Sequence, residues 1–409
     1  MAVLHPFRAL RPAPEAAPHV SSVPYDVVST EEARQLAAGN PLSFLHVTRS
    51  EVDLPPEADP YSPQVYALAR RNLDALRSRA PLVVDDIASL YCYRLKMGSH
   101  EQTGVAGCFS VDEYERDVIR KHERTRSDKE DDRTRHIVEL RAQTGLVFLT
   151  YHRTADVDAI QRRVTEGQPL YHFTAADGVQ HTVWRASADD TRALVQAFGR
   201  VPALYIADGH HRAASAARAR AELRAGTAAP SEIENASRFI AVAFPHNQVQ
   251  ILPYHRVVGD LAGQTPEAFL EAVRARVPVT DGPAVPRRTG EVSMHLAGRW
   301  YSIDLAGAGR ADDSRASGLD VALLQRHVLE PVLAVGDIRT DTRIDFVGGS
   351  RGIAALEQAV REGRATVAFS MFPVGVDDLM TIADAGGIMP PKSTWFEPKL
   401  RDGLLVHQI

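Results

Sequence analysis

The segment Ala203–Ala214 reads Ala-Leu-Tyr-Ile-Ala-Asp-Gly-His-His-Arg-Ala-Ala. Its apolar part, Leu204–Ala207, predicts a buried strand, and the Asp208-Gly209 pair predicts a tight turn. The Ala- and Arg-rich run that follows, Arg212–Arg224, is built from strong helix formers. We therefore predict a strand, a turn and a helix in direct succession.

The start of this predicted helix has the chemistry of an anion site. Backbone N–H groups of a first helical turn have no partners within the helix, and the helix dipole favours a negative charge beside them. Gly209 lets the backbone approach a ligand closely. The side chains of His210, His211 and Arg212 can all donate hydrogen bonds to phosphate. We interpret the segment as a site for the phosphates of a nucleotide.

Other interpretations of the same segment stay open. Asp208 and Gly209 can form a simple turn, with the following His-His-Arg as a solvated first helical turn. A zinc site at His210 and His211 is disfavoured, because adjacent side chains on a helix diverge by about 100°. No cysteine lies nearby in the sequence to complete such a site.

The overall composition is that of an ordinary globular protein. The 409 residues are 44% hydrophobic and 24% charged, which is enough material for a core and for two or three domains. The net charge of −5 disfavours a protein whose main affinity is for the nucleic-acid backbone. No apolar run has membrane-spanning length and the N-terminal residues lack a signal-peptide pattern. We expect a cytoplasmic protein that binds a small molecule, without membrane or nucleic-acid partners, and a homodimer is one open possibility.

The two cysteines, Cys92 and Cys108, both lie in apolar runs. Their spacing matches no zinc motif and no Cys-x-x-Cys redox motif. We expect both to be buried and to act as small hydrophobic residues.

A dense run of charged residues lies between two predicted helices. We predict one helix from Asp112 to about Thr125 and a second from Arg133 to Thr144, with Gly145 as its C-terminal glycine. Residues 121–125 between them read Lys-His-Glu-Arg-Thr, and an acidic stretch follows. A solvated surface of mixed charge is the simplest interpretation.

The same run also holds the residue types that a phosphoryl-transfer site needs. Glu123 can accept a proton from a substrate hydroxyl, and Asp131 or Asp132 can hold Mg²⁺. We favour this functional interpretation of residues 121–125 over the solvated surface.

The segment Gly386–Lys399 has no periodicity typical of a core element, and we predict a loop. Two prolines stiffen the chain before Lys392, and the Lys-Ser-Thr that begins there can meet phosphate or a carboxylate. Trp395 and Phe396 can cover a nucleotide base. Alternatively, these two aromatic side chains fill the edge of a core.

The segment Ala207–Arg212 resembles a segment of the ParB/sulfiredoxin-like superfamily, which includes ATP-dependent sulfiredoxins, ParB nucleotide-binding domains and free L-serine kinases. The whole chain also resembles domain-of-unknown-function family 1015. Five segments typical of that family occur here in order: Val23–Val28, Asn40–Val47, Lys121–Thr125, Ala207–Arg212 and Met389–Phe396.

The resemblance, with the alternation of predicted strands and helices, implies an α/β (α+β) fold. We expect mixed sheets around a ParB/sulfiredoxin-like core, elaborated by N- and C-terminal segments. The predicted parts are an N-terminal α/β segment at 1–139, the core at 140–260, and a C-terminal α/β segment at 261–409.

The resemblance to free serine kinases implies a small-molecule kinase. It would transfer a phosphoryl group from ATP or ADP, with Mg²⁺, to a hydroxyl acceptor, most simply free L-serine. The predicted nucleotide-binding residues are Gly209, His210, His211, Arg212, Lys392, Ser393 and Thr394. The predicted catalytic residues are Glu123 as general base, His210 and Asp208, and the predicted metal ligands are Asp208 and Asp132. The predicted substrate contacts are Lys121, His122, Thr125 and Arg133.

Two other functions would use the same anion site. One is a nucleotide-binding ParB-like regulatory protein, and the other is a phosphate-ester hydrolase. A sulfiredoxin-type reductase is disfavoured, because the reactive cysteine of that family lies beside the Gly/His turn and His210 stands there in this chain.

Overall fold

The computed structural model describes residues 2–80 and 82–409. The chain forms two compact units, one of Met1–Val249 with Pro398–Ile409 and the other of Gln250–Glu397. The predicted parts 1–139, 140–260 and 261–409 stay a prediction. The sheet of the first unit takes strands from both sides of residue 139.

The first unit consists of the following elements. Its helices are α1 (Ala17–Val20), α2 (Thr30–Ala37), α3 (Leu45–Thr48), α4 (Pro63–Arg79), α5 (Val111–Glu115), α6 (Ser127–Leu140), α7 (Ala155–Thr165), α8 (Ala188–Phe198), α9 (His210–Ala225) and α10 (Pro230–Ala236). Its strands are β1 (Leu4–His5), β2 (Leu10–Pro12), β3 (Leu82–Val84), β4 (Tyr91–Met97), β5 (His100–Ser110), β6 (Ile119–Arg120), β7 (Ala142–Gln143), β8 (Val147–Tyr151), β9 (Tyr171–Thr174), β10 (Gln180–Arg185), β11 (Leu204–Asp208), β12 (Arg238–Pro245) and, after the second unit, β21 (His407–Gln408).

The described residues of the first unit form a nine-stranded sheet in the order β6-β11-β8-β12-β5-β4-β10-β9, with β1 beside β5. The pairs β6–β11 and β8–β12 are parallel, whereas β11–β8 and β12–β5 are antiparallel. The sheet is therefore mixed, and helices interleave with its strands along the chain. This confirms the predicted α/β class.

The sheet is held to its helices by a continuous apolar cluster. Val147 and Leu149 of β8 and Ile206 of β11 are fully buried in it. Ala213 and Ala216 of α9 belong to the same cluster, so this helix presents small side chains to the sheet. Burial of such apolar surface is the main favourable term in folding, and it fixes the face that α9 turns inward.

The predicted strand, turn and helix around Gly209 are confirmed. The strand β11 ends at Asp208, Gly209 has a φ of +95°, and α9 follows directly. The helix begins at His210 rather than at Arg212, so both histidines are helical.

The predicted helix from Asp112 to Thr125 is wrong. Only α5 is helical there, and Asp117 has a φ of +56°, which turns the chain. Ile119 then enters β6, where it pairs with Leu204. A β-branched residue suits this short strand, and the partner strand lies far along the sequence, beyond the reach of a local pattern.

The predicted helix from Arg133 to Thr144 is displaced. The observed helix α6 begins at Ser127 and ends at Leu140, with Arg141 in the left-handed conformation at its end. Gly145 therefore does not terminate it. The charged run belongs to the first turns of α6 because that helix packs on α9, where Arg218 pairs with Glu130.

The second unit contains α11 (Pro266–Arg274), α12 (Asp320–Leu324), α13 (Glu330–Leu333), α14 (Gly352–Arg361) and α15 (Val376–Asp384). Its strands are β13 (Gln250–Leu252), β14 (Tyr254–Val258), β15 (Val279–Asp281), β16 (Glu291–Leu296), β17 (Arg299–Asp304), β18 (Ile344–Gly348), β19 (Val367–Ser370) and β20 (Trp395–Glu397). The antiparallel sheet has the order β15-β17-β16-β19-β14-β18, and β13 pairs with β20 in a separate ribbon.

Two further expectations concern the cysteines and the membrane. Cys92 and Cys108 are both fully buried and unbridged, as predicted, and burial raises the pKa of the Cys92 thiol to about 12. Within the described part of the chain, every helix is too short or too polar to cross a bilayer.

Candidate functional site

The site lies where two neighbouring parallel strands end. Strands β6 and β11 pair in parallel, with Leu204 opposite Ile119 and Tyr205 opposite Arg120. The carboxyl ends of parallel strands meet at the same edge of a sheet. The loop after β6 therefore meets the turn between β11 and α9, although about 85 residues separate them in sequence.

The start of α9 holds a set of backbone donors that have no partner within the helix. Gly209 is the residue before the helix, and it has no side chain with which to cap the first turn. The first backbone bond at this end runs from Ala213 N to Gly209 O, at 3.1 Å. The amides of the first turn therefore lie outside the bonding of the helix, as an anion site requires.

Gly209 is required at this turn. A Cβ atom there would lie 3.3 Å from Arg212 Nη1 and 3.4 Å from Val147 Cα, on a backbone with a φ of +95°. We expect Gly209→Ala to lower the free energy of unfolding by about 1–2 kcal/mol, the cost of left-handed backbone for a residue with a Cβ. Urea unfolding followed by circular dichroism measures this change.

Gly199→Ala is the matched control for that substitution. Gly199 follows α8 in the same unit with a φ of −58°, which alanine adopts freely. The free energy of unfolding of the Gly199→Ala variant is expected to stay within about 0.5 kcal/mol of that of the parent protein. Equal effects at the two glycines would contradict the role given to the left-handed turn.

Asp208, at the end of β11, is paired with a lysine from the C-terminal segment. Lys399 Nζ lies 2.9 Å from Asp208 Oδ2, and both side chains are mostly buried. Burial alone would raise the pKa of Asp208, but Lys399 and Arg212 hold it well below its usual range. The aspartate is therefore ionised, and a lysine that sequence reasoning did not select lies at the site.

Arg212 points into the protein rather than toward a ligand. Its Nη2 lies 2.9 Å from Asp26 Oδ2, and its Nη1 donates to the carbonyl oxygen of Leu146. Its Nε is buried without a hydrogen-bond partner. Arg212 is 8% exposed. Its side chain therefore links α9 to the N-terminal segment and to the residue before β8 through these contacts.

A second carboxyl group lies close to this arginine. Asp402 is 1% exposed, and apart from the backbone of Tyr25 its carboxylate oxygens have no hydrogen-bond partner. A Cβ built on Gly145 would lie 3.1 Å from Arg212 Cδ and 3.6 Å from Asp402 Oδ1, so the two side chains converge there. Burial raises the pKa of Asp402 to about 7, despite the opposing effect of Arg212.

His210 meets two residues of the loop after β6. Its ring lies edge-on to that of His122, with the ring centres 4.4 Å apart, and its Nδ1 lies 4.0 Å from Glu123 Oε2. The backbone N–H of His122 donates to His210 Nε2 at 3.4 Å. Burial lowers the pKa of His122 to about 4 and holds that of His210 well below its usual range. Both imidazoles are therefore neutral near pH 7.

His211 turns away from this group, as the divergence of adjacent helical side chains predicts. Its Nε2 accepts a hydrogen bond of 3.0 Å from the backbone N–H of Arg126. His210 and His211 therefore do not point to a common ion. The histidine that meets His210 is His122, from the loop after β6.

The other acidic candidates have protein partners. Asp132 accepts a hydrogen bond of 2.9 Å from the hydroxyl of Tyr66 and pairs with Arg133 at 2.8 Å. Asp131 pairs with Arg218 of α9. The guanidinium of Arg133 also lies 4.2 Å from the ring centre of Tyr25. The metal role of Asp132 and the substrate role of Arg133 stay predictions.

The remaining loop candidates lie beside the site. Lys121 donates to the carbonyl oxygen of Tyr114 at 2.9 Å and pairs with Asp117 at 2.7 Å. Thr125 is half-buried in the same loop. Their predicted substrate contacts stay predictions.

Lys392, Ser393 and Thr394 belong to the second unit. Ser393 is buried, and its hydroxyl donates to Pro390 O at 2.5 Å. Trp395 begins β20, so the predicted loop ends in a paired strand. The nucleotide-binding role of the three residues stays a prediction.

Sequence reasoning missed three residues that contact the motif. Asp26 lies in the Val-Pro-Tyr-Asp segment typical of the family, so a signal for it existed. Lys399 and Asp402 lie in a short C-terminal segment without a motif. Their positions depend on the return of the chain to the first unit, which no local pattern indicates.

Solved structures offer distant likenesses. A conserved hypothetical protein from Pyrococcus furiosus is 12% identical, with a TM-score of 0.36, over 74% of this chain and 94% of that chain. A free serine kinase in complex with AMP is 11% identical, with a TM-score of 0.36, over 74% and 91%. SbnI from Staphylococcus aureus, with a C-terminal truncation, is 11% identical, with a TM-score of 0.38, over 73% and 85%. Likenesses at this level carry no conclusion about activity.

Among curated proteins, none matches this sequence significantly. A protein-family model, by contrast, matches most of the chain. The model described as a protein of unknown function, DUF1015, matches residues 4–322, which include the loop after β6 and the turn before α9. The chain is a member of the DUF1015 family.

Proposed function

We propose that this protein is a nucleotide-dependent phosphotransferase that acts on the hydroxyl group of a small molecule, with free L-serine as the first candidate. One observation carries the proposal: His122, Glu123 and His210 meet at the uncapped start of α9. The choice of L-serine rests on the likeness of the Asp-Gly-His-His-Arg segment to that of free serine kinases.

The start of α9 supplies the phosphate-binding part of the proposal. Phosphoryl transfer depends chiefly on positioning and on neutralising charge around the phosphates. The amides of the first helical turn and the ammonium group of Lys399 are donors that suit phosphate oxygens. The ion pair with Asp208, at 2.9 Å, holds the ammonium group of Lys399 beside the turn before α9. ATP or ADP is the proposed donor, with Mg²⁺ to neutralise its phosphates.

Glu123 supplies the acceptor part of the proposal. Its side chain is 39% exposed, so a small molecule can reach its carboxylate. In the proposed reaction the hydroxyl oxygen of the acceptor forms a bond to the terminal phosphorus, and the bond from that phosphorus to the nucleotide breaks. The hydroxyl proton passes to the Glu123 carboxylate. The neutral imidazole of His210, 4.0 Å away, helps to hold that carboxylate in place.

The test is phosphotransfer by the full-length protein. ATP and ADP are supplied separately with Mg²⁺ and L-serine, and O-phosphoserine and the nucleotide product are quantified by mass spectrometry. Equimolar formation of both is expected. Nucleotide binding by calorimetry without any transfer to serine or other hydroxyl compounds would overturn the kinase proposal, and the ParB-like regulatory alternative would then account for the binding.

Substitutions connect the activity to this site. Glu123→Gln removes the proton acceptor at nearly constant size, and Lys399→Met removes a cation from the phosphates. Each is expected to lower kcat/KM by about 100-fold. Arg218→Met, on the exposed face of α9, is the control and is expected to leave kcat/KM unchanged. Full activity in both site variants would contradict the mechanism.

A further inference from the structure

We infer that His122, Glu123 and His210 form a binding site for one divalent transition-metal ion. One ligand atom from each residue can be chosen so that all three atoms lie within 4.8 Å of one another. Among the residues that the structure describes, no other group of His, Cys, Asp or Glu side chains meets this criterion. This inference goes beyond the proposed reaction and does not depend on it.

The burial of His122 gives the site its second, independent support. The residue is 2% exposed, and apart from the backbone of Ile206 its ring nitrogens have no hydrogen-bond partner. Leaving a buried polar atom without a partner costs about 1–3 kcal/mol. A metal ion beside the ring would use one of these nitrogens and remove that cost. Phenylalanine would fill a similar space without burying a polar atom, so the polar ring needs an explanation.

The candidate ligand atoms lie within 4.8 Å of one another and must move closer together to hold an ion. Nitrogen and oxygen ligands at about 2.1 Å from a tetrahedral ion lie about 3.4 Å from one another. His210 Nδ1 and Glu123 Oε2 are 4.0 Å apart in the structure. The two histidines are fixed in the core, whereas Glu123 is half-exposed on a loop, so a rotation of its side chain can complete the approach.

One existing contact must change. The N–H of His122 donates to His210 Nε2 at 3.4 Å, which is long for a hydrogen bond. An ion bound to His210 Nδ1 would require the ring proton on Nε2, and this contact would then be lost. The nearby charges partly cancel: Asp208 is paired with Lys399, and Lys121 is paired with Asp117. The bound ion therefore faces no large uncompensated charge.

The ligand set selects the kind of metal. Two neutral imidazoles and one carboxylate suit Zn²⁺, Co²⁺, Mn²⁺ or Fe²⁺, whereas Mg²⁺ prefers oxygen ligands and water. Three protein ligands also leave a coordination position open, as in catalytic zinc sites. Glu123 is the most exposed of the three ligands. A carboxylate bound to the ion is not free to take a proton, so in the metal-bound protein Glu123 would act as a ligand.

The test measures metal binding without nucleotide or serine. Full-length protein is stripped with a chelator, and binding of Zn²⁺, Co²⁺ and Mg²⁺ is followed by calorimetry. Elemental analysis gives the stoichiometry, and the visible absorption of Co²⁺ reports nitrogen and oxygen coordination. We expect one equivalent of Zn²⁺ or Co²⁺, with Mg²⁺ bound far more weakly. Failure to bind these ions stoichiometrically would overturn the inference and would leave the phosphotransferase assay unaffected.

Three variants locate the ion. His122→Gln, His210→Gln and Glu123→Gln are each expected to weaken Zn²⁺ binding by at least about tenfold, and they should alter the Co²⁺ spectrum. His211→Gln is the matched control, since it removes the neighbouring histidine of α9 that bonds to Arg126. If Zn²⁺ affinity is unchanged in the first three variants, or falls equally in His211→Gln, the ion does not bind at the proposed site.

The glutamate variant keeps the test usable if a buried histidine variant fails to fold. Glu123 lies on a loop with its side chain 39% exposed, so glutamine is accommodated there without changing the core. Thermal unfolding of each metal-free variant identifies any loss of fold. Unchanged Zn²⁺ affinity in folded Glu123→Gln would by itself overturn the three-ligand site.

Discussion

Replacing Arg212 by methionine is expected to lower the free energy of unfolding by about 2 kcal/mol, because it removes a buried guanidinium that pairs with the partly exposed carboxylate of Asp26. The carboxylate of Asp26 would lose its cation, and the carbonyl oxygen of Leu146 would lose a donor. Methionine keeps much of the apolar length of the arginine, so packing changes little. Chemical denaturation of the full-length protein measures the loss.

Arg218→Met is the matched control for Arg212→Met. Arg218 lies on the same helix and also pairs with carboxylates, Glu130 and Asp131, but its side chain is 38% exposed. Exposed ion pairs contribute little, so the loss should be below about 1 kcal/mol. A double-mutant cycle with Asp26→Asn isolates the coupling between Arg212 and Asp26. Equal losses at the two arginines would contradict the structural role given to Arg212.

Asp402→Asn is expected to change how stability depends on pH. Burial raises the pKa of Asp402 from 3.8 to about 7, so between these values the folded protein binds more protons than the unfolded chain. The stabilising effect of the raised pKa is complete below about pH 4 and is lost as the pH rises through 7. Because one pKa unit corresponds to about 1.4 kcal/mol, the loss approaches about 4 kcal/mol.

Asparagine resembles the protonated carboxyl group and does not titrate. The stability of the variant relative to the parent should therefore increase by about 4 kcal/mol between pH 4 and pH 8. Denaturant unfolding at several pH values measures the difference. Asp59→Asn, at an exposed position of the first unit, is the control for the substitution itself. A constant difference for Asp402→Asn would show that this carboxyl is not buried in its uncharged form.

The sequence was sufficient to predict the central motif. The apolar run before Asp208 and the alanines after Arg212 each have a local preference, and glycine is favoured wherever a backbone needs positive φ. The strand, turn and helix therefore follow from short-range preferences. The α/β class follows in the same way, from elements that alternate along the chain.

Local patterns failed where pairing over long distances decided the structure. Val118 and Ile119 suit an apolar helical face, but Ile119 becomes part of a strand because β11 offers backbone partners to it. The charged run at the start of α6 is likewise helical in the structure, and Arg218 of α9 pairs with its Glu130. In both cases the partner lies about 85 residues away, where sequence periodicity carries no information.

The sequence predicted Glu123 and His210 as site residues, but from two separate segments and without indicating that they are neighbours. Their distance of 4.0 Å, and the presence of His122 against the same ring, follow from the parallel pairing of β6 with β11. Lys399 and Asp402 were not selected at all, since an isolated Lys or Asp carries no signal.

The amino-acid sequence alone determined the chemistry of the site: a glycine turn, a helix start rich in donors, and a histidine-glutamate loop elsewhere in the chain. Only the tertiary structure decided which of these groups meet. It brought His122 to His210, Lys399 to Asp208, and Asp26 to Arg212. The physical reason is that short-range preferences fix local backbone shape, whereas contacts between distant residues depend on how strands pair and how apolar faces are buried together.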